Sequence, residues 1–214
     1  MDPKKERAKM SKKMNVKTYV GVGMFSSLAY ILMFLNFPIP PFPTFLKIDF
    51  SDIPALIAAF VFGPLAGILV ELIKNIIDYF ITGSETGIPV GHMANFIAGV
   101  SFILPTYYIY HKIRSKKGMV FGLVASIALM STLLSLFNYF VLLPVFMKLM
   151  NTPMSGPEIR QYVVSLILPF NLLKGFIISA IFMLVFSKMK VWIIKQQAQY
   201  NSTLLLEKKE AGRF

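Results

Sequence analysis

The stretch Leu46–Phe80, LKIDFSDIPALIAAFVFGPLAGILVELIKNIIDYF, joins a charged loop, a short apolar run, a Gly63-Pro64 break and a second apolar run. The second run carries Glu71, Lys74, Asn75 and Asp78 at the i, i+3, i+4, i+7 spacing of one helical face, with Leu69, Ile73, Ile76, Ile77 and Phe80 largely elsewhere. A charged side chain at the centre of a membrane helix costs about 2.5 to 3.5 kcal/mol on insertion scales, so such a face turns toward a cavity or toward other charges. Two readings stay open at this point: an internal Glu71/Lys74/Asp78 network that locks the helix into a bundle, or a face that lines a ligand site.

Composition places that helix in a membrane. The chain has 214 residues, 56% of them hydrophobic, and a mean hydropathy of +0.64, with apolar runs longer than a soluble domain of this size carries. The net charge of +12 sits in three blocks beside apolar runs, which points to membrane topology and away from nucleic acid. The absence of cysteine excludes disulfides, thiolate catalysis and thiolate-bound metals.

Residues 1–17, MDPKKERAKMSKKMNVK, form a basic segment expected in the cytoplasm, able to touch anionic lipid. Helix 1 is expected from about Thr18 to Asn36; its Gly23 and Ser27 make a small-xxx-small pair, either a docking face for another helix or ordinary bundle packing. The four prolines between Phe37 and Lys47, FPIPPFPTFLK, predict a stiff outside loop that acts as a lid or as an interface anchor. Basic clusters at His111–Lys117 and Lys188–Lys195 belong with the N-terminus on the cytoplasmic side, so an even number of crossings separates them. Ile53–Thr82 must therefore cross twice or dip and return, turning at Gly63-Pro64. Further helices are expected at about Pro89–Tyr110, Met119–Phe146 and Ile159–Phe186, the last interrupted by Pro169. The fold class is all-α: an integral membrane domain of six transmembrane helices over residues 18–195, both termini cytoplasmic, and a polar, loosely ordered tail at 196–214.

Asn75, Asp78, Asn95, Asn138 and Asn171 fall in the outer half of this bundle, with Lys74 and Lys174 nearer the middle, so the polar centre opens outward. No nucleotide-binding G-x-x-x-x-G-K-[ST] occurs, and no repeat suggests inverted transporter halves. His92 and His111 have no metal-ligand partner in sequence and read as polar interface residues; Ser101 lacks the setting of a hydrolase nucleophile. An enzyme is not expected, and no metal site.

The run LKIDFSDIPALIAAFVFGPLAGILVELIKNII, followed by GHMANFIAG, resembles the riboflavin-specific substrate-binding (S) component of energy-coupling factor transporters, in layout from helix 1 through Lys174. The resemblance implies a six-helix vitamin-capture protein in the plasma membrane of a prokaryote, with riboflavin as transported ligand and no cofactor. Its implied partners are a transmembrane coupling subunit and two ATPases, docked through helix 1, where Gly23-x-x-x-Ser27 stands for the family's small-residue motif. The substrate site is expected at Asn138, Asn171 and Lys174, with Asn75, Asp78, Met93 and Asn95 around them. Above them the Pro41–Lys47 lid contributes Phe42, Thr44, Leu46 and Lys47. Lys174 must be satisfied there by Asp78 or by ligand oxygens. The alternatives are an S component for thiamin or a pyridine-type vitamin, or a stand-alone membrane carrier or enzyme.

Overall fold

The computed structural model describes residues 16–84, 87–151 and 153–211; of the basic segment expected at 1–17, residues 1–15 lie outside them and 16–17 open the first helix. Six helical passes build one bundle. Helix α1, Val16–Phe34, buries Thr18, Gly21, Val22, Ser26, Ala29 and Met33, a three-to-four-residue stripe that faces its neighbours. The proline-rich segment then returns on itself as a strap. Its ends form two short antiparallel strands, β1 (Phe37–Pro38) and β2 (Lys47–Ile48), and turns from Phe42 N–H to Ile39 O and from Leu46 N–H to Pro43 O close its interior.

Helix α2, Asp52–Phe62, is only 11 residues long, about 16 Å at 1.5 Å per residue. It needs no greater length, because every residue from Asp52 to Val61 is buried and the helix meets α1, α3, α4 and α6 rather than lipid. It ends at Gly63, whose φ of +100° suits glycine alone, and Pro64 opens α3, Pro64–Thr82, where its missing N–H costs nothing. The turn expected at Gly63-Pro64 is therefore present, and it is tight. A β-carbon on Gly67 would lie 2.8 Å from the Ala59 β-carbon and 2.9 Å from the Ala55 carbonyl oxygen.

Helix α4 is Val90–Ile113. Helix α5 runs as Lys116–Phe137, a π-helical turn at Asn138–Leu142 and a last segment Leu143–Met150. Helix α6 repeats that plan with Gly156–Tyr162, a π-helical turn at Val163–Ile167 and the long segment Leu168–Ala211. Both wide turns end at a Leu-Pro pair, Leu143-Pro144 and Leu168-Pro169. Leu143 N–H reaches Asn138 O and Leu168 N–H reaches Val163 O, five residues back, which opens the turn that a proline ring would otherwise crowd. Pro169 was expected to interrupt the helix. The chain accommodates it with one wide turn and stays helical.

The tail also departs from expectation. Helix α6 continues to Ala211, because Gln, Ala, Leu, Glu and Lys are good helix formers that extend a helix already nucleated. Gln197 Nε2 lies 3.0 Å from His111 Nε2 and the Tyr200 ring meets Phe62 edge-on at 5.6 Å, which holds the extension to the ends of α2 and α4. That end of the bundle is filled by packed rings: Phe60 stacks on Phe182 at 6.1 Å and meets Tyr110 edge-on at 5.2 Å, and His111 stacks on Tyr107 at 4.1 Å. His111, read from the sequence as a polar interface residue, thus packs among these rings and meets Gln197.

Candidate functional site

The buried face of α3 divides between two tasks. Glu71 and Lys74 are fully buried and belong to an ion network: Lys74 Nζ donates to Asp52 Oδ1 at 2.7 Å, Ser51 Oγ at 2.6 Å and Glu71 Oε1 at 2.9 Å. The network pins the start of α2 to the middle of α3. Glu71 fits because Gly99 on α4 has no side chain; a β-carbon there would fall 2.1 Å from Oε2. Asn75 donates to Glu71 O at 2.8 Å, still on this structural stretch. One turn on, Asp78 reaches open space.

That space is a cavity of about 540 Å³ beneath the strap, within the 300 to 1,000 Å³ usual for small-molecule sites. The α5–α6 side of its wall carries Asn138, Asn171 and Lys174, the α3–α4 side carries Asp78, His92 and Asn95, and the strap supplies Phe45, Leu46 and Lys47. Phe146 and Phe170 add ring surface. Asn138 opens the first wide turn and Asn171 lies one helical turn after the second, each giving one amide N–H to a carbonyl of its own helix, Leu134 O at 2.8 Å and Ile167 O at 2.9 Å. Each therefore keeps a second N–H and a carbonyl oxygen for a ligand.

Lys174 is held from the strap side. Its Nζ donates to Asp49 Oδ2 at 3.1 Å, and the two side chains are 7% and 3% exposed. Asp78, one of the two partners expected for Lys174 beside ligand oxygens, instead meets His92 Nε2 at 3.0 Å. Asp49 also accepts the Ser51 N–H at 3.0 Å and the Ser51 hydroxyl. Burial alone would raise the Asp49 carboxyl, but the Lys174 and Lys74 cations and the two Ser51 bonds outweigh it and hold the group well below the usual carboxylate range.

Of the residues assigned from sequence, Leu46, Lys47, Asp78, Asn95, Asn138, Asn171 and Lys174 share this cavity wall. Four do not. Asn75 is buried on α3 with one amide N–H given to the Glu71 backbone carbonyl; Met93 is 50% exposed, because the inward phase of α4 runs through Gly91, Ala94, Asn95 and Ala98. Thr44 lies exposed off the wall, and Phe42 stands one layer back, edge-on to Phe170 at 5.3 Å. Two further residues line the cavity: His92, read from the sequence as a polar interface residue, and Asp49, given no role there. His92 had a readable signal, lying three residues before Asn95 on one helix face, whereas nothing local marks Asp49.

Gly23 and Ser27 lie on the outward face of α1. Both are exposed, a β-carbon on Gly23 would meet nothing within 4 Å, and Val20, Met24 and Leu28 flank them in the open. Among the described residues, neither of the two packs into the bundle.

The family described as "ECF transporter, substrate-specific component" matches residues 17–186. The chain is 48% identical over 188 residues to the riboflavin transporter FmnP of Bacillus subtilis (strain 168), covering 87% of this chain and 99% of that protein. It is 42% identical over 183 residues to the riboflavin transporter RibU of Staphylococcus aureus (strain TCH60), covering 86% and 95%. A solved structure described as the S component of a bacterial ECF transporter agrees at a TM-score of 0.70 and 41% identity, covering 83% of this chain and 97% of that one. With a match that takes in all six helical passes, and a fold shared with a solved S component, the chain belongs to the substrate-specific components of ECF transporters.

Proposed function

We propose that this protein captures riboflavin from the outside of a prokaryotic plasma membrane and serves as the binding subunit of an ATP-driven importer. The cavity carries this reading. The pyrimidine edge of an isoalloxazine offers carbonyl oxygens and one imide N–H, which suit the Lys174 ammonium and the free donors and acceptors of Asn138 and Asn171. Phe45, Phe146, Phe170 and Leu46 line the same space, a fit for the faces of a flat tricycle. The ribityl hydroxyls then fall to Asp78, His92 and Asn95. Curated relatives named riboflavin transporters, at 48% and 42% identity, favour this vitamin over others.

The chain works as a binding protein, not an enzyme. It has no nucleotide-binding motif, so accumulation against a gradient falls to two ATPases joined through a transmembrane coupling subunit. The open Gly23/Ser27 face of α1 suits close approach of a partner helix. Purified protein in detergent is expected to carry the yellow absorbance of oxidised flavin, or to quench added riboflavin fluorescence stoichiometrically, with thiamin unable to compete. Colourless protein that leaves riboflavin fluorescence unchanged refutes the assignment.

A further inference from the structure

A second groove, of about 650 Å³, lies on the outer surface of the bundle and shares no lining residue with the cavity beneath the strap. Tyr139, at the wide turn of α5, forms one wall, and Arg160, Gln161, Val164 and Ser165 of α6 form the other. These four residues of α6 follow the spacing of one helical face and all are exposed, whereas Ile159, Tyr162 and Val163 pack inward with Leu143 and Ile167. Among the described residues, the Arg160 guanidinium and the Gln161 amide have no hydrogen-bond or ion-pair partner. The Glu158 carboxylate, two residues away, is taken by the Ser155 N–H at 2.6 Å and the Ser155 hydroxyl at 2.8 Å. Depth follows from the helix itself. Lys188 heads the basic cluster assigned to the cytoplasmic side, and about 30 Å of hydrocarbon counted outward from it takes about 20 residues at 1.5 Å each, ending near residue 168. Ser165 then lies about 5 Å beyond that boundary and Arg160 about 12 Å, with a long stem that can lean back toward it. The groove thus opens at headgroup level on the outer side, where topology calls for no basic residue.

We propose that this groove holds the headgroup of an anionic phospholipid of the outer leaflet, with Arg160 on the phosphate and Gln161, Ser165 and Tyr139 on the glycerol and ester oxygens. The proposal rests on the membrane placement of α6 and not on the flavin reading. A guanidinium matches two phosphate oxygens at once, and the uncharged amide and hydroxyls both donate and accept, as a glycerol unit requires. Leu133 and Leu136 of α5 and Leu172 of α6, exposed nearer the membrane centre, offer apolar surface to the acyl chains. Charge selects the lipid class. The lining holds one cation and no acid, so a headgroup with a net negative charge neutralises Arg160. A zwitterionic headgroup would bring an ammonium that Arg160 repels and that no carboxylate in the groove receives.

The test places a fluorescent reporter beside the groove. Phe140, 68% exposed and next to Tyr139, is changed by Phe140→Trp in a Trp192→Phe background, Trp192 being the one tryptophan of the chain. The purified full chain is reconstituted in bilayers that mix phosphatidylglycerol with phosphatidylcholine, one or the other carrying brominated acyl chains that quench a neighbouring tryptophan. Comparing the two labelling schemes gives the relative affinity of the lipids at this position. With Arg160 in place, phosphatidylglycerol should be favoured at least about fivefold, the worth of one basic side chain at a charged lipid surface. Arg160→Gln should bring the ratio near one, and Arg160→Glu should take it below one. Inorganic phosphate added at constant ionic strength should leave the preference intact; its loss would reveal a site for free anions and overturn the lipid assignment. A ratio near one with Arg160 present, or a preference that a folded charge variant leaves in place, also overturns the proposal. Thermal melting reports whether each variant folds. Either charge variant decides alone if the other does not fold, and if neither folds, Arg160 supports the fold and the proposal falls.

Discussion

Lys174→Met separates the two roles that the structure gives to one ammonium. The lysine is bonded to Asp49 at 3.1 Å with both side chains nearly out of solvent, and it also faces the cavity. Removing one partner of a buried ion pair costs about 3 to 5 kcal/mol, because the other charge is left uncompensated. Asp49 still accepts two bonds from Ser51, which places Lys174→Met at the lower end, about 3 kcal/mol. For a chain of this size that is a fall of about 6 to 12 °C in the midpoint of ligand-free thermal unfolding, at about 2 to 4 °C per kcal/mol. Riboflavin binding should weaken as well, by the about 1.5 to 3 kcal/mol of a hydrogen bond to a charged group, or about 10- to 150-fold in dissociation constant. The double variant Lys174→Met/Asp49→Asn removes both charges. It should recover most of the lost stability and none of the lost affinity, because the cavity still lacks its cation. Ligand-free melting and riboflavin fluorescence quenching on the three proteins measure both quantities. Full affinity in Lys174→Met would refute the ligand role, and a double variant no more stable than the single one would refute the ion pair.

Gly21 and Gly23 are two residues apart on α1 and should respond oppositely to bulk. A β-carbon on Gly21 would sit 2.4 Å from the Phe62 ring, so Gly21→Leu should lower thermal stability and yield. Gly23→Leu should fold and bind riboflavin normally but lose uptake when coexpressed with the coupling subunit and ATPases; equal loss of binding would reject the docking face. Gly99→Ala should displace the Glu71 carboxylate from Lys74 and cost about 3 kcal/mol or more, as expected when a buried charged network is broken. Melting of the variant within a degree of wild type would show that the contact between α3 and α4 relaxes.

Much of the bundle was legible because its signals are local. Charge in lipid is expensive and helices repeat every 3.6 residues, so Glu71, Lys74, Asn75 and Asp78 announce one protected face whatever surrounds them. Gly63-Pro64 announces a turn for equally local reasons, since φ of +100° needs glycine and Pro64 opens the next helix. Asn138, Asn171 and Lys174 stood out as candidates because polar groups at that depth need partners, and the structure sets all three on one cavity wall. The wide turns beside them left a trace as well, in the two Leu-Pro pairs, although a proline by itself reads as a break rather than as a helix that widens and continues.

Which partner each buried group takes was decided only by packing. Asp49 and Lys174 are 125 residues apart, and no spacing rule links a strap to the sixth helix. The same protected face of α3 serves two ends: Lys74 is locked to Asp52 at the start of α2 and to Glu71, while Asp78, one turn on, meets His92 of α4 and lines the cavity. Sequence thus determined which residues had to be hidden from lipid, a matter of transfer energy and local period. The tertiary structure decided whether each hidden group was spent on another part of the chain or kept for a ligand, because that depends on which helix lies opposite and at what height.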